Sequence, residues 1–113
     1  YGESAAIYQQ VTGYPFTVDQ LRLAGERINN LKKLFNIREG WVREDDTLPG
    51  RVLSEKLTDG VGQGIGLSQK DLDMMIEGYY RVRGWTPEGD IPASKLRELG
   101  LDEIAQSAEV TAV

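Results

Sequence analysis

Apolar residues recur at spacings of three and four along residues 18 to 36, where Leu21, Ala24, Ile28, Leu31 and Phe35 fall on one face of a helix. Thr17 followed by Gln20 forms a capping box at its start. Asp19 in the first turn and Lys32 and Lys33 in the last suit the helix macrodipole. Gly25 lies inside this helix and costs about 1 kcal/mol relative to alanine; close approach of a neighbouring backbone and simple tolerance account for it equally well. A second periodic stretch opens at Ser68 with Asp71 and runs to about residue 83, placing Leu72, Met75, Ile76, Tyr79 and Val82 on its inner side. Residues 3 to 12 predict a shorter helix with Ala5, Ala6, Ile7, Tyr8 and Val11 as its apolar side and Gly13 as its stop. Pro49 begins a helical turn with Val52 and Leu53 inward, and Pro92 leads into "ASKLRELG", with Leu96 and Leu99 inward and Gly100 as its end. A last turn, "LDEIAQS", packs through Leu101 and Ile104. No segment alternates apolar and polar residues over the length of a strand, and no repeat is present. The pattern predicts an all-α chain: a single multihelical domain of four or five helices over residues 1 to 105, with a charged loop after the second helix, and a frayed tail over residues 106 to 113.

Composition narrows the function. With 18 acidic and 13 basic residues the net charge is −5, and no Lys/Arg block offers the footprint that neutralises nucleic-acid phosphates. No apolar run is long enough to cross a bilayer. The chain holds no cysteine and no histidine, so thiolate nucleophiles, disulfides, zinc sites of the usual donors and thiolate ligation of iron are outside its chemistry. A chain without disulfides is compatible with a cytoplasmic origin. The glycine-rich "TDGVGQGIG", residues 58 to 66, is expected to be a flexible connection; it fits the dinucleotide pattern G-x-G-x-x-G in no register. The sequence opens on Tyr1 with neither a basic start nor a signal-peptide core, so the expectation is one piece of a longer polypeptide.

Charge concentrates in "NIREGWVREDDTLPGR", residues 36 to 51. A general acid/base pair needs two carboxyls facing one atom, and the successive Glu44, Asp45 and Asp46 point in different directions unless the backbone is specially folded. The ligand spacing of a calcium loop is absent. The preferred expectation is structural: Arg38 and Arg43 pair with Glu39, Asp45 or Asp46 and pin the loop onto the helices, and Trp41 and Leu48 imply an ordered segment packed against this domain or a missing one. Tyr79, Tyr80 and Trp85 are aromatic enough to stack a planar ligand, but aromatics at helix ends are more often packing anchors with a polar tip, and that role is preferred.

The order of these motifs carries a resemblance. "TGYPFTVDQL" (12 to 21), "GERINNLKKLFNIREGWVREDDTLPGRVL" (25 to 53) and "YYRVRGWTPEGDIPASKLRELGL" (79 to 101) together resemble the C-terminal region of the aldehyde ferredoxin oxidoreductase family, over about residues 3 to 105. The resemblance implies a parent enzyme that oxidises aldehydes to carboxylic acids with electron transfer to ferredoxin. It also implies tungsten, or molybdenum, held by a bis-pterin, and a four-iron four-sulfur cluster bound by cysteines. Those cysteines and the family's catalytic histidine and glutamate lie upstream of the matching region, so no catalytic, cofactor-binding or metal-binding residue carries over to this chain. Asn36, Arg38, Glu39, Arg43, Glu44, Asp45 and Asp46 occupy the motif positions, and the expectation is that they order the loop and that some face the substrate channel or a neighbouring domain. The implied partners are the N-terminal and central domains of the same polypeptide, with ferredoxin for the parent enzyme, or a second copy of the chain through an exposed apolar face. The alternative is a free-standing acidic helical module that binds a protein partner without enzymatic activity.

Overall fold

The computed structural model describes residues 1–107. Among them are six α-helices, α1 (Gly2–Thr12), α2 (Val18–Arg38), α3 (Gly50–Ser54), α4 (Gln69–Arg83), α5 (Ala93–Leu99) and α6 (Asp102–Ser107), one 3-10 turn at Arg43–Asp45, and no strand. The all-α expectation holds. The helices number six because the short segments after Pro49 and Leu101 each close into a helix of their own. Of the tail expected to fray, Gln106 and Ser107 end α6, and residues 108–113 lie outside the described residues. No helix among the described residues is long and apolar enough to cross a membrane.

Local sequence sets the helix starts. At α2 the Thr17 hydroxyl accepts from the Gln20 N–H at 3.2 Å and the Gln20 side chain accepts from the Thr17 N–H at 2.9 Å. Ser68 and Asp71 make the same reciprocal pair at α4, so each box satisfies two amide hydrogens that a helix start leaves free. The helix ends share a second device. Gly40 and Gly84 take left-handed φ values of 89° and 70°, and the following Trp41 and Trp85 N–H groups reach back to the Asn36 and Tyr80 carbonyls, both at 2.9 Å. Only a residue without Cβ adopts that conformation cheaply, and the closure throws a tryptophan back across the last turn of each helix.

The core is small and sits at one end. Leu34 of α2 packs with Ile91, Leu96, Leu99, Leu101 and Ala105, flanked by Ile37 and Trp85. Leu96, Leu99 and Leu101 are inward as the pattern predicts, whereas Ile104 is exposed and Ala105 takes its place.

The long helices depart further from expectation. The apolar stripe of α2 is not its buried face: Ile28, Leu31 and Phe35 are exposed, and Asn30, Lys33 and Leu34 are covered instead. The α5–α6 pair docks on the C-terminal part of α2 from a neighbouring direction, and nothing else among the described residues covers the stripe. On α4, Leu72 and Tyr80 are buried and Ile76 is partly so, while Met75, Tyr79 and Val82 are exposed. On α1 only Ala5 is covered, and at α3 Val52 is exposed and Leu53 half-buried. The glycine-rich segment is a closed turn, in which the Leu57 N–H donates to the Ile65 carbonyl at 2.9 Å and the Gly64 N–H to the Leu57 carbonyl at 2.8 Å. A Cβ on Gly25 would meet nothing within 4 Å, which decides for tolerance over close approach.

These departures have one physical origin. The Cα radius of gyration is 18.2 Å, against about 13 Å for a compact domain of this length. The accessible surface is 8369 Å², against roughly 6,200 Å² for a compact protein of this mass. The helices are amphipathic, but the described residues do not supply enough partners for all of their apolar faces.

Candidate functional site

A cleft of about 560 Å³ lies between α2 and α4, with the charged loop as its floor. Asn29, Lys32 and Asn36 line its α2 side, Leu72, Met75, Ile76 and Tyr79 its α4 side, and Trp41 and Leu48 its loop side. The face of α4 predicted to be inward thus borders an open cleft rather than a closed core.

Asp46 ties the three sides together. Its Oδ1 accepts from Trp41 Nε1 at 3.0 Å, and its Oδ2 accepts from Lys33 Nζ at 3.3 Å and from the Tyr80 hydroxyl. Lys33 keeps 7% of its side-chain exposure, and its ammonium lies 5.5 Å from the Tyr80 ring centre and 5.3 Å from that of Trp85. A lysine is tolerated there because its charge is paired, hydrogen-bonded and laid against aromatic faces at once. Burial pushes the Asp46 carboxyl up, but hydrogen bonds from Tyr80 and Trp41 and the Lys33 charge outweigh it and hold the group below the ordinary carboxylate value. Tyr80 moves the other way: burial first, then its bond to the Asp46 carboxylate, raises its pKa far above the ordinary tyrosine value. Asp46 is therefore a fixed anion and Tyr80 a fixed donor near neutral pH, a pairing that holds structure and offers no group poised to exchange a proton there.

A second layer runs beside the first. Fully buried Asn30 accepts from Trp85 Nε1 at 2.8 Å and donates to the Glu26 carbonyl at 2.9 Å, and Arg83 pairs with the Glu26 carboxylate. Every buried side-chain polar atom among the described residues has a partner.

The charged loop divides accordingly. Arg38 pairs with Glu39 at 2.8 Å, as expected. Arg43 does not pair within the loop: it reaches Asp73 of α4 at 3.7 Å and lies over the Tyr80 ring. Asp45 caps the 3-10 turn, its Oδ2 accepting the Val42 N–H at 2.9 Å. Asn36 contributes its carbonyl to the helix end and an exposed side chain to the cleft wall, and Glu44 is exposed with no ion pair among the described residues. Trp41 and Leu48 remain partly exposed, so the loop is held down by hydrogen bonds to Asp46 more than by apolar burial.

Lys33 and Asn30 are the site residues that sequence reasoning missed; Tyr80 and Trp85, expected as packing anchors with a polar tip, do direct that tip inward, to Asp46 and Asn30. Lys33 matches the dipole pattern yet is buried five residues before the helix ends at Arg38. The available signal was the repeated Gly-Trp after each long helix, which turns one indole N–H onto Asp46 and the other onto Asn30. The chain has no cysteine or histidine, and no group of three or more acidic side chains able to hold a metal occurs among the described residues. An iron–sulfur cluster held by thiolates has no ligand in these residues.

Comparison with known proteins places the chain in a family. A family model described as "Aldehyde ferredoxin oxidoreductase, domains 2 & 3" matches residues 1–101. Tungsten-containing aldehyde ferredoxin oxidoreductases of Pyrococcus horikoshii and Pyrococcus furiosus are each 42% identical over 92 residues, and that of Thermococcus kodakarensis is 39% identical over the same length. Each match takes in 80% of this chain, and the chain spans only 15% of the length of these relatives. The capped helices, the charged loop folded around Asp46 and the Gly-Trp closures are thus those of a chain that belongs to the aldehyde ferredoxin oxidoreductase family, matching the part described as its domains 2 and 3.

Proposed function

We propose that this chain is a non-catalytic helical part of a cytoplasmic tungsten or molybdenum pterin enzyme that oxidises aldehydes to carboxylic acids and passes electrons to ferredoxin. The remainder of the polypeptide supplies the bis-pterin metal centre and the four-iron four-sulfur cluster, and this part shapes the wall of the space in which substrate meets them. The observation that carries the proposal is the engagement of the loop's charges. Asp46 is committed to Lys33, Trp41 and Tyr80, Asp45 to the Val42 amide, Arg38 to Glu39 and Arg43 to Asp73. Asp45 and Asp46, so committed, hold the loop side of the α2–α4 cleft in shape, and none of the paired groups is free to turn over a substrate. Tungsten and aldehyde oxidation are the chemistry for which the Pyrococcus relatives are named.

The test is made in the full-length enzyme. Arg38→Ala with Asp45→Ala, and separately Asp46→Asn, are compared with the parent for tungsten, molybdenum and iron content, thermal stability, and aldehyde-dependent reduction of ferredoxin. A structural wall predicts lower stability or cofactor content with turnover per bound metal kept. Turnover per metal that collapses while stability and metal content stay intact would make these residues catalytic and overturn the proposal. So would an encoded polypeptide that carries neither metal nor aldehyde oxidation, the result expected of a free-standing interaction module.

A further inference from the structure

The apolar stripe of α2 is half of a groove. Phe16 before α2 and Ile104 of α6 stand beside Leu23, Ile28 and Leu31, and together they enclose about 450 Å³ of open space. Ile28 is 58% exposed and Leu23, Leu31 and Ile104 are also exposed, while Phe16 is half-buried and Leu101 forms the covered bottom of the groove. This is not the margin of an unstable helix, because the capping box and Asp19 place α2 firmly. An amphipathic helix that is well made yet leaves its principal apolar face open has a partner elsewhere.

The size of the unmet need identifies the partner. The surface left uncovered exceeds that of a compact protein of the same mass by about 2,000 Å², more than the roughly 800 Å² per partner that a standard-size stable complex buries and in the range of a permanent interface. In the relatives, more than four-fifths of the polypeptide lies outside the matched part. The polar residues on the groove are Gln20 and Arg27, and Arg27 has no ion-pair partner among the described residues. The groove therefore asks for an apolar face at helical spacing with a carboxylate at its edge.

We infer that the groove formed by Phe16, Leu23, Ile28, Leu31 and Ile104 seats an amphipathic helix from the rest of the same polypeptide, with an Asp or Glu of that helix facing Arg27. The inference rests on the reading of this chain as part of a longer enzyme and adds the face by which it joins that enzyme. The α2–α4 cleft lies on other residues of α2 and is left free by this contact.

Hydroxyl-radical footprinting of the full-length holoenzyme tests it, with the urea-unfolded polypeptide as the reactive standard and buried Leu34 and Leu96 as the covered one. Phe16, Ile28 and Leu31 are expected to react at the covered rate. Ile28→Asp should return Phe16 and Leu31 toward the unfolded rate, and Arg27→Glu should do the same where Arg27→Lys does not. The wild-type footprint decides even where a variant fails to fold: groove residues reacting at the unfolded rate overturn the inference. Protection lost on dilution, together with dissociation of a dimer, assigns the groove to a second copy and also overturns it. Metal content and aldehyde oxidation are measured on the same preparation. An active enzyme with an open groove sinks the docking alone, and a protected groove without metal or activity sinks the functional reading alone.

Discussion

Replacing Asp46 with asparagine removes one charge and keeps the shape. Lys33 then stays buried with 7% of its side-chain exposure and no counter-charge, where its ammonium had been 3.3 Å from Oδ2. At that distance the attraction is about 5 kcal/mol for an effective dielectric near 20. Removing one partner of a buried pair typically costs about 3–5 kcal/mol. Asp46 retains 28% exposure, so water reaches the pair, and the expected loss lies at the lower end, about 3 kcal/mol. The new amide also presents donors where Trp41, Tyr80 and Lys33 already donate, which leaves at least one of them unmatched. Urea unfolding followed by circular dichroism and tryptophan fluorescence reads the change, because Trp41 and Trp85 both border the hub. The midpoint of thermal unfolding should fall by roughly 10–15 °C. Lys33→Met in the same background separates charge from shape: with the ammonium gone, Asp46→Asn should cost at least about 2 kcal/mol less than it does alone. An Asp46→Asn loss below 1 kcal/mol, or a double variant that is simply additive, would refute the claim that this pair holds the loop between the two helices.

The same hub predicts a pH response at both ends. The Tyr80 pKa is raised by burial and by its bond to Asp46, so its stabilising contribution is complete below the ordinary tyrosine value of 10.0 and is lost as pH rises above it. Tyr80→Phe should flatten that alkaline decline in a pH series of urea midpoints. Asp46 is lowered, so its contribution is complete above the ordinary value of 3.8 and fades as pH falls below it, and Asp46→Asn should remove this acid-side loss. Gly89→Ala sets a Cβ 2.8 Å from the Tyr80 hydroxyl oxygen at a φ of 86°, and should cost about 2 kcal/mol or more in denaturant titration. Gly25→Ala meets open space inside α2 and should stabilise the chain by up to about 1 kcal/mol, read as a higher urea midpoint.

The sequence by itself determined the helices and their starts, since those depend on neighbours in the chain. The Thr17–Gln20 and Ser68–Asp71 boxes, the turns of spacing three and four, and the stop at Gly100 need only local geometry, and all appear where expected. It also determined the family, through long motifs in a fixed order. Tertiary structure alone decided which face of each helix is covered. Periodicity shows that the Ile28 and Phe35 side of α2 is apolar but not whether a partner covers it, and among the described residues none does. The hub was hidden for the same reason: Lys33, Asp46 and Tyr80 are separated by 13 and 34 residues, and burying a lysine makes sense only once a carboxylate and two aromatic rings from other elements surround it. Polar residues are covered when their partners arrive from far away in the chain, and local spacing carries no record of those arrivals.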